Sequence, residues 1–353
     1  MQYNQEKVVV LDWGIPQLLQ NKIFDPKVAG KISHTILPIC FLQQQALQQG
    51  ITMMTPDVFL SLPKKPQVSL LISSLYSKET PRLIAQGAKP LILSCQESPF
   101  IATGFYLNLK KYSAQFKYSF VFSGMKKHLS KKTAYRQMFF PEVYDPANFK
   151  PLPFGQKKYL TMISGNKRVS NWKKNLLLKL FYGFGVREIY SLRQEIVNFF
   201  ASPGKFDLYG TLWDRGGATP LETENIKKVY RGMVEEKLPV LSQYKFTFCL
   251  ENSVFPGYVT EKIFDAMFAG SVPVYLGAPD VLNFIPKNCF IDLRDFKSLK
   301  ELDVFLSSLD EAKYMEYLQN SLKFLNSPQF QKFSYENFNE RVVEILEQEF
   351  TGF

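Results

Sequence analysis

Short apolar runs alternate with longer stretches of helical periodicity, and this alternation limits the chain to few folds. Lys7–Leu11 (KVVVL) reads as a strand closed by Asp12 and Gly14. Ile36–Gln49 reads as a helix, with Pro38 marking its start and Gly50 its end. Ile51–Met54, Val68–Ser73, Pro90–Ser94 and Tyr118–Phe122 read as further strands, and Thr80–Gln86 as a helix with Pro81 in its first turn. Strand, helix, strand in succession predicts an α/β fold with a mostly parallel sheet.

Residues 141–155 (PEVYDPANFKPLPFG) interrupt this pattern with four prolines and little periodicity, which suggests a domain boundary. The grammar then repeats. Tyr159–Ser164, Lys205–Tyr209, Lys245–Leu250, Val272–Tyr275 and Phe290–Asp292 read as strands. A helix is expected from about Asn171 to Tyr182 and another over Thr260–Ala269, whose Ile263, Phe264, Met267 and Phe268 fall at helical spacing. The tail from about Ser298 reads as helical, with Phe330–Glu349 as one final helix. The expected division is 1–150, 151–329 and a C-terminal helix over 330–353 that packs back on the first domain. Two tandem α/β domains leave a cleft, and ligands in such sheets bind beyond the carboxyl ends of the strands. Functional residues are therefore sought just after strands.

Composition removes several classes of function. Of 353 residues, 46% are hydrophobic and 21% charged, the balance of an ordinary folded protein. No apolar run approaches the roughly 20 residues that span a bilayer. In residues 1–20 the run Val8–Leu11 is too short for a signal peptide and is cut by Asp12. The two histidines, His34 and His128, lie far apart, and no HExxH or CxxC occurs, so a zinc site is not expected. Cys40, Cys95, Cys249 and Cys289 are widely spaced in apolar company and read as reduced core thiols. The dinucleotide fingerprint, the P-loop and GxSxG are absent; Gly183-Phe184-Gly185 follows a helix, not a strand. No DxD is present to clamp a metal on a nucleotide sugar, so cations of the chain would have to neutralise a diphosphate.

The formal net charge is +11, which calls for an anionic partner. The excess is local. Residues 101–180 hold sixteen Lys and Arg against only Glu142 and Asp145, a net +14 that leaves the remainder at −3. A solvated face accounts for any single lysine there, but not for the concentration.

Chemistry concentrates in 245–295. Strand 245–250 runs into Glu251-Asn252-Ser253, and after Pro256 and Gly257 the run Tyr258-Val259-Thr260-Glu261-Lys262 opens a helix. Thr260 reads as its N-cap. The free N–H groups of a helix start attract phosphate. Lys262 in that first turn is unfavourable for the helix dipole, so an anionic ligand explains it better than stability does. Glu261 suits sugar or ribose hydroxyls, or simply the dipole.

The run FCLENSVFPGYVTEKIFDAMFAGSVPVYLGAPDVLNFIPKNCFIDLRDF, Phe248–Phe296, resembles the donor-binding signature of α-1,3/4-fucosyltransferases, glycosyltransferase family 10. Glu97-Ser98-Pro99 resembles the family's ESP element. Ile163–Lys174 (ISGNKRVSNWKK) is a third, weaker resemblance at the expected position after the linker, and Phe206–Gly210 (FDLYG) and Tyr230–Tyr244 (YRGMVEEKLPVLSQY) are similar to bacterial-type members. The resemblance covers about 150–330 well and 1–150 thinly. It implies the GT-B architecture, two facing Rossmann-like domains with a cleft between them. The first would bind the acceptor sugar and the second GDP-fucose. It implies inverting transfer of L-fucose from GDP-β-L-fucose to a glycan hydroxyl, the 3-OH of GlcNAc or Glc in lipopolysaccharide or another surface glycan. Glu97 matches the family's general base. Asn252 and Tyr258 match positions on the donor's phosphate end, Glu261 one on ribose or fucose hydroxyls, and Lys262 one on phosphate. No cofactor is required, a divalent ion acting at most as a stimulant.

Two departures stand out. The family's phosphate-binding arginine in the first helix of the donor domain is replaced by Lys173-Lys174, with Arg168 a few residues earlier. Lysine offers a point charge where arginine offers a fork, so Arg168 and Lys174 are assigned the role together. The membrane anchor and disulfides of animal members are also missing. The expectation is a cytoplasmic enzyme, peripheral on the inner membrane through the basic stretch 101–180. A GT-B transferase using another GDP-sugar is the alternative within enzymes. A polyanion- or nucleic-acid-binding protein is the alternative of another class, but it leaves the polar strand-end cluster unexplained and no nucleic acid is expected as partner.

Overall fold

The computed structural model describes residues 7–145, 151–167 and 172–351. The chain divides into two compact units, one of Met1–Val143 with Lys332–Phe353 and one of Tyr144–Gln331.

The first unit is built on β1 (Lys7–Asp12), β2 (Thr52–Met54), β3 (Val68–Ser74), β4 (Lys89–Ser94), β5 (Tyr118–Val121) and β6 (Ala134–Gln137). They form one sheet in the order β2-β1-β3-β4-β5-β6, parallel throughout. Val8, Val9 and Val10 are all fully buried, which explains why β1 reads as a continuous apolar run: both faces of a parallel sheet are covered. The chain leaves β1 for β2 on one side and then crosses to β3 on the other. The carboxyl ends of β1 and β3 thus flank a topological switch point.

The helix Tyr335–Thr351 packs on the helix Leu37–Gln48 in this same unit. It buries Phe338, Val342, Ile345 and Leu346, a spacing of three and four that aligns one apolar stripe. Asn339 Nδ2 donates to the Pro38 carbonyl at 3.2 Å, Arg341 Nη2 donates to the Gln137 carbonyl at 2.9 Å, and Lys117 pairs with Glu349. The tail is not the single helix expected over Phe330–Glu349. Glu142 N donates to the Phe333 carbonyl (2.7 Å) and Tyr335 N to the Glu142 carbonyl (3.0 Å), which draws Ser334 into a short parallel bridge with Glu142. The helix therefore stops at Gln331 and restarts at Tyr335, where Ser334 Oγ accepts from Asn337 N.

The second unit contains β7 (Lys158–Ile163), β8 (Arg187–Glu188), β9 (Phe206–Tyr209), β10 (Tyr244–Leu250), β11 (Ser253–Val254), β12 (Val272–Leu276) and β13 (Ile291–Asp292). Five of them form a parallel sheet in the order β13-β12-β10-β7-β9, while β8 and β11 pair antiparallel. After β7 the chain builds β9 on one side and then β10 on the other, so a second switch point lies between the ends of β7 and β10. Leu160, Met162, Phe246, Phe248, Val272 and Val274 form the centre of the core. At the amino end of this sheet the buried Lys157 donates to the carbonyls of Ser242 (2.7 Å), Gly270 (2.9 Å) and Tyr244 (3.4 Å). Burial pushes its amine down to about 8 while these carbonyls hold the proton. All four cysteines are free and buried.

Candidate active site

At the carboxyl end of β10 the chain places a fully buried carboxylate, Glu251. Its Oε1 accepts from Thr260 N at 2.8 Å, and its Oε2 accepts from Thr260 Oγ1 at 2.8 Å and from Lys262 Nζ at 3.2 Å. Lys262 Nζ also donates to Thr260 Oγ1 (2.9 Å) and Glu261 Oε1 (3.2 Å). Burial favours neutral forms of both partners. It raises the Glu251 pKa against the pull of Lys262. For Lys262 burial is outweighed by the Glu251 and Glu261 carboxylates, and its pKa lies above the usual lysine range. The ammonium and carboxylate thus sustain each other in a site neither would enter alone.

Two expectations about this helix change. Thr260 does occupy the N-cap position of Glu261–Phe268, but its hydroxyl makes no capping bond because it serves Glu251 and Lys262. Lys262 does not depend on a ligand for its counter-charge; Glu251 supplies one from the adjoining strand end. Lys237 extends the network, 2.8 Å from the buried Asp265 and 3.8 Å from Glu261.

The backbone of the switch point is held by Arg193 from the helix Tyr190–Phe200. This buried guanidinium sends Nη2 to the carbonyls of Leu250 (2.9 Å) and Glu251 (3.0 Å) and to Asn252 Oδ1 (3.1 Å). It stacks over the Tyr190 ring at 4.9 Å, and burial lowers its pKa. Asn252 Nδ2 in turn donates to the Tyr258 hydroxyl at 3.4 Å. Asn252, Tyr258, Glu261 and Lys262 are therefore brought onto one segment beside the β7–β10 switch point. Around it, among the described residues, Ser164 Oγ, Arg193 Nε, Gln194 Oε1 and Ser253 Oγ are buried without a partner. Orphaned buried polar atoms of this kind call for a polar ligand or ordered water.

Glycines set the clearance. A Cβ on Gly277 would fall 2.3 Å from the Tyr275 hydroxyl and 2.4 Å from Glu251 Cγ. Gly210 has φ of +123°, and a Cβ there would lie 2.0 Å from the Ser164 carbonyl oxygen. Both positions exclude any side chain at the ends of β12 and β9.

The remaining candidates lie elsewhere. Glu97 follows β4 in the first unit, where its Oε1 accepts from Ser98 N at 2.8 Å. It lines a cavity of about 1050 Å³ at that unit's switch point, with Asp12, Trp13, Leu75, Lys78 and Phe140 among the other walls. Asp12 is fixed there by Ser77 Oγ and Thr80 Oγ1, both donating at 2.7 Å, and burial raises its pKa. Lys174 is exposed on the helix Trp172–Tyr182, while Arg168 lies outside the described residues. Lys126, Lys127, Lys131 and Lys132 are exposed on the first unit. Among the described residues no cluster of His, Cys, Asp and Glu could hold a metal ion, and no helix is long and apolar enough to cross a membrane.

Sequence reasoning gave no role to Glu251, Arg193, Lys237 or Asp265. Glu251 was visible as the first polar residue after a strand. Arg193 carried no such signal, because its partners are carbonyls sixty residues away in sequence that only the fold brings near.

Residues 189–340 match the family model described as glycosyltransferase family 10 (fucosyltransferase) C-term. An α-(1,4)-fucosyltransferase of Arabidopsis thaliana is 43% identical over 79 residues, 22% of this chain and 20% of that protein. An α-(1,3)-fucosyltransferase of Helicobacter pylori is 43% identical over 89 residues, 25% and 17% of the two chains. The matched segments thus span only about a fifth of these relatives' length. A solved α1,3-fucosyltransferase with GDP superposes with a TM-score of 0.51 at 17% identity, over 98% of this chain and 92% of that one. Anabaena HepE in complex with UDP gives 0.59 at 10% identity, over 97% and 100%. At such identities the likeness shows the fold, which is the α/β GT-B class.

Proposed function

We propose that this chain, whose residues 189–340 are a glycosyltransferase family 10 (fucosyltransferase) C-terminal domain, is an inverting glycosyltransferase that moves L-fucose from GDP-β-L-fucose to a glycan hydroxyl. The observation that carries the reading is the polar cluster after β10. It lies inside the segment matching the family model and at the switch point where such sheets take ligands.

The chemistry requires a base for the acceptor hydroxyl and neutralisation of the departing diphosphate. Lys262, held protonated by its two carboxylates, supplies positive charge to the diphosphate, and Asn252 and Tyr258 face its phosphate end. Glu261 receives ribose or fucose hydroxyls. Arg168 and Lys174 share the remaining phosphate charge. Glu97 takes the proton from the acceptor hydroxyl. The cavity it lines accepts the sugar, for which we infer the 3-OH of GlcNAc or Glc within lipopolysaccharide or another surface glycan. The mixed wall, apolar with a few charged groups, suits a pyranose ring.

The test is transfer from GDP-fucose, with GDP-mannose as comparison, to a panel of Gal-GlcNAc and Gal-Glc acceptors, read by mass spectrometry. Fucosylated product from GDP-fucose alone is expected. Failure to bind GDP-fucose, or transfer from another GDP-sugar in its place, refutes the reading.

A further inference from the structure

The helix Trp172–Tyr182 is apolar on two faces, and only one of them packs. Leu178 and Tyr182, four residues apart, are buried against the second unit, where Tyr182 meets the Phe255 ring at 5.4 Å. On the opposite side Trp172, Leu176 and Leu180 also repeat at four-residue spacing, and they are 67%, 42% and 63% exposed. Leu177 is half exposed, and Phe184, just past the turn at Gly183, is 73% exposed. A helix needs only one apolar face to pack on its own unit, and the second apolar face of this one stands at the surface.

The charges on this helix are of one sign. Lys173 is exposed in its first turn and Lys179 lies on its flank. Between Asp145 and Glu188 the sequence contains no acidic residue. A protein partner of ordinary mixed charge would leave these cations unanswered, and a second copy would oppose lysine to lysine. An anionic lipid surface answers both features. Its acyl boundary takes the Leu stripe, its interface suits Trp172, and its phosphates meet the lysines.

We propose that the helix Trp172–Tyr182 docks this protein peripherally on anionic lipid, lying in the interface with Trp172, Leu176, Leu180 and Phe184 inserted. This narrows the basic stretch 101–180 to one element. It does not depend on which sugar is transferred.

The test is co-sedimentation of the full chain with vesicles of phosphatidylcholine alone and of phosphatidylcholine with phosphatidylglycerol in equal parts. Binding is expected only to the anionic vesicles, weakening with salt. The double variant L176E/L180E should bind roughly tenfold or more weakly. K173Q/K179Q should lose a smaller factor and its salt dependence. Val304→Glu, an exposed apolar position on another helix of the unit, should bind as the parent does. Because Leu176 and Leu180 are exposed, the variant's near-UV circular dichroism and GDP-fucose binding should be unchanged, which separates docking from both folding and donor recognition. A parent chain that ignores anionic vesicles, or an L176E/L180E variant that still binds them, overturns the proposal. So does a parent dimer that L176E/L180E converts to monomers with vesicle binding intact.

Discussion

Glu251→Gln isolates the buried pair that fixes the strand-end cluster. The substitution keeps shape and retains an oxygen for Thr260 N, but it turns an amide donor toward Lys262 Nζ and Thr260 Oγ1, where Oε2 had accepted at 3.2 and 2.8 Å. At 3.2 Å and an effective dielectric of 20 the lost attraction is about 5 kcal/mol. Removing one member of a buried pair costs about 3–5 kcal/mol in general, since the other charge stays buried. For a unit of this size that lowers the thermal midpoint by roughly 6–20 °C. The buried Trp213 reports the second unit's unfolding, and hydrogen exchange along Glu261–Phe268 gives the local effect. Lys262→Met should cost a comparable amount, and the double variant should cost clearly less than the two together. The pH profile adds a check. Lys262 stabilises the fold below its unfolded value of 10.5, and that contribution is lost as pH rises through its higher folded value. In Glu251→Gln the alkaline fall should begin at lower pH. A cost below about 1 kcal/mol, or simple additivity in the double variant, would refute the account of the pair.

Glu97→Gln should lower kcat by about 10²–10⁴-fold with GDP-fucose affinity unchanged, as measured by transfer rates and calorimetry. Gly277→Ala forces a methyl to within 2.4 Å of Glu251 Cγ, so the melting midpoint and donor affinity should fall together. Arg193→Lys keeps a charge but cannot bridge three acceptors, and it should raise KM for the donor more than it lowers kcat. Lys157 is pushed down from 10.5 to about 8, so between those values the unfolded chain holds a proton the folded one has released. Stability of the second unit should rise with pH across that window, and Lys157→Met should flatten the rise in a series of urea titrations.

The strands were legible because both faces of a parallel sheet are buried: KVVVL and VSLLIS announce themselves without any neighbour. The polar residues of the strand-end cluster were legible because they follow β10 directly. What failed was local logic applied to residues whose partners are distant. Thr260 does stand at the cap, but its hydroxyl serves Glu251, and Lys262 looked like a misplaced charge until the fold set Glu251 beside it. The break before Tyr335 was hidden for the same reason, since it is made by Glu142, which precedes it in sequence by the whole of the second unit. The apolar side of Trp172–Tyr182 could not be told from a buried one by periodicity, which records spacing and not exposure.

The first unit is closed by a helix encoded after the whole of the second. During synthesis its six-stranded sheet emerges early, but the helix that covers Leu37–Gln48 emerges only once about 190 further residues have been added. At ~5–20 residues per second that interval is on the order of 10–40 s. Throughout it, the surface that will receive Phe338, Val342, Ile345 and Leu346 faces water or a chaperone. The second unit, one unbroken segment, meets no such delay. The order of assembly is thus the reverse of the order of translation: the unit made first is finished last.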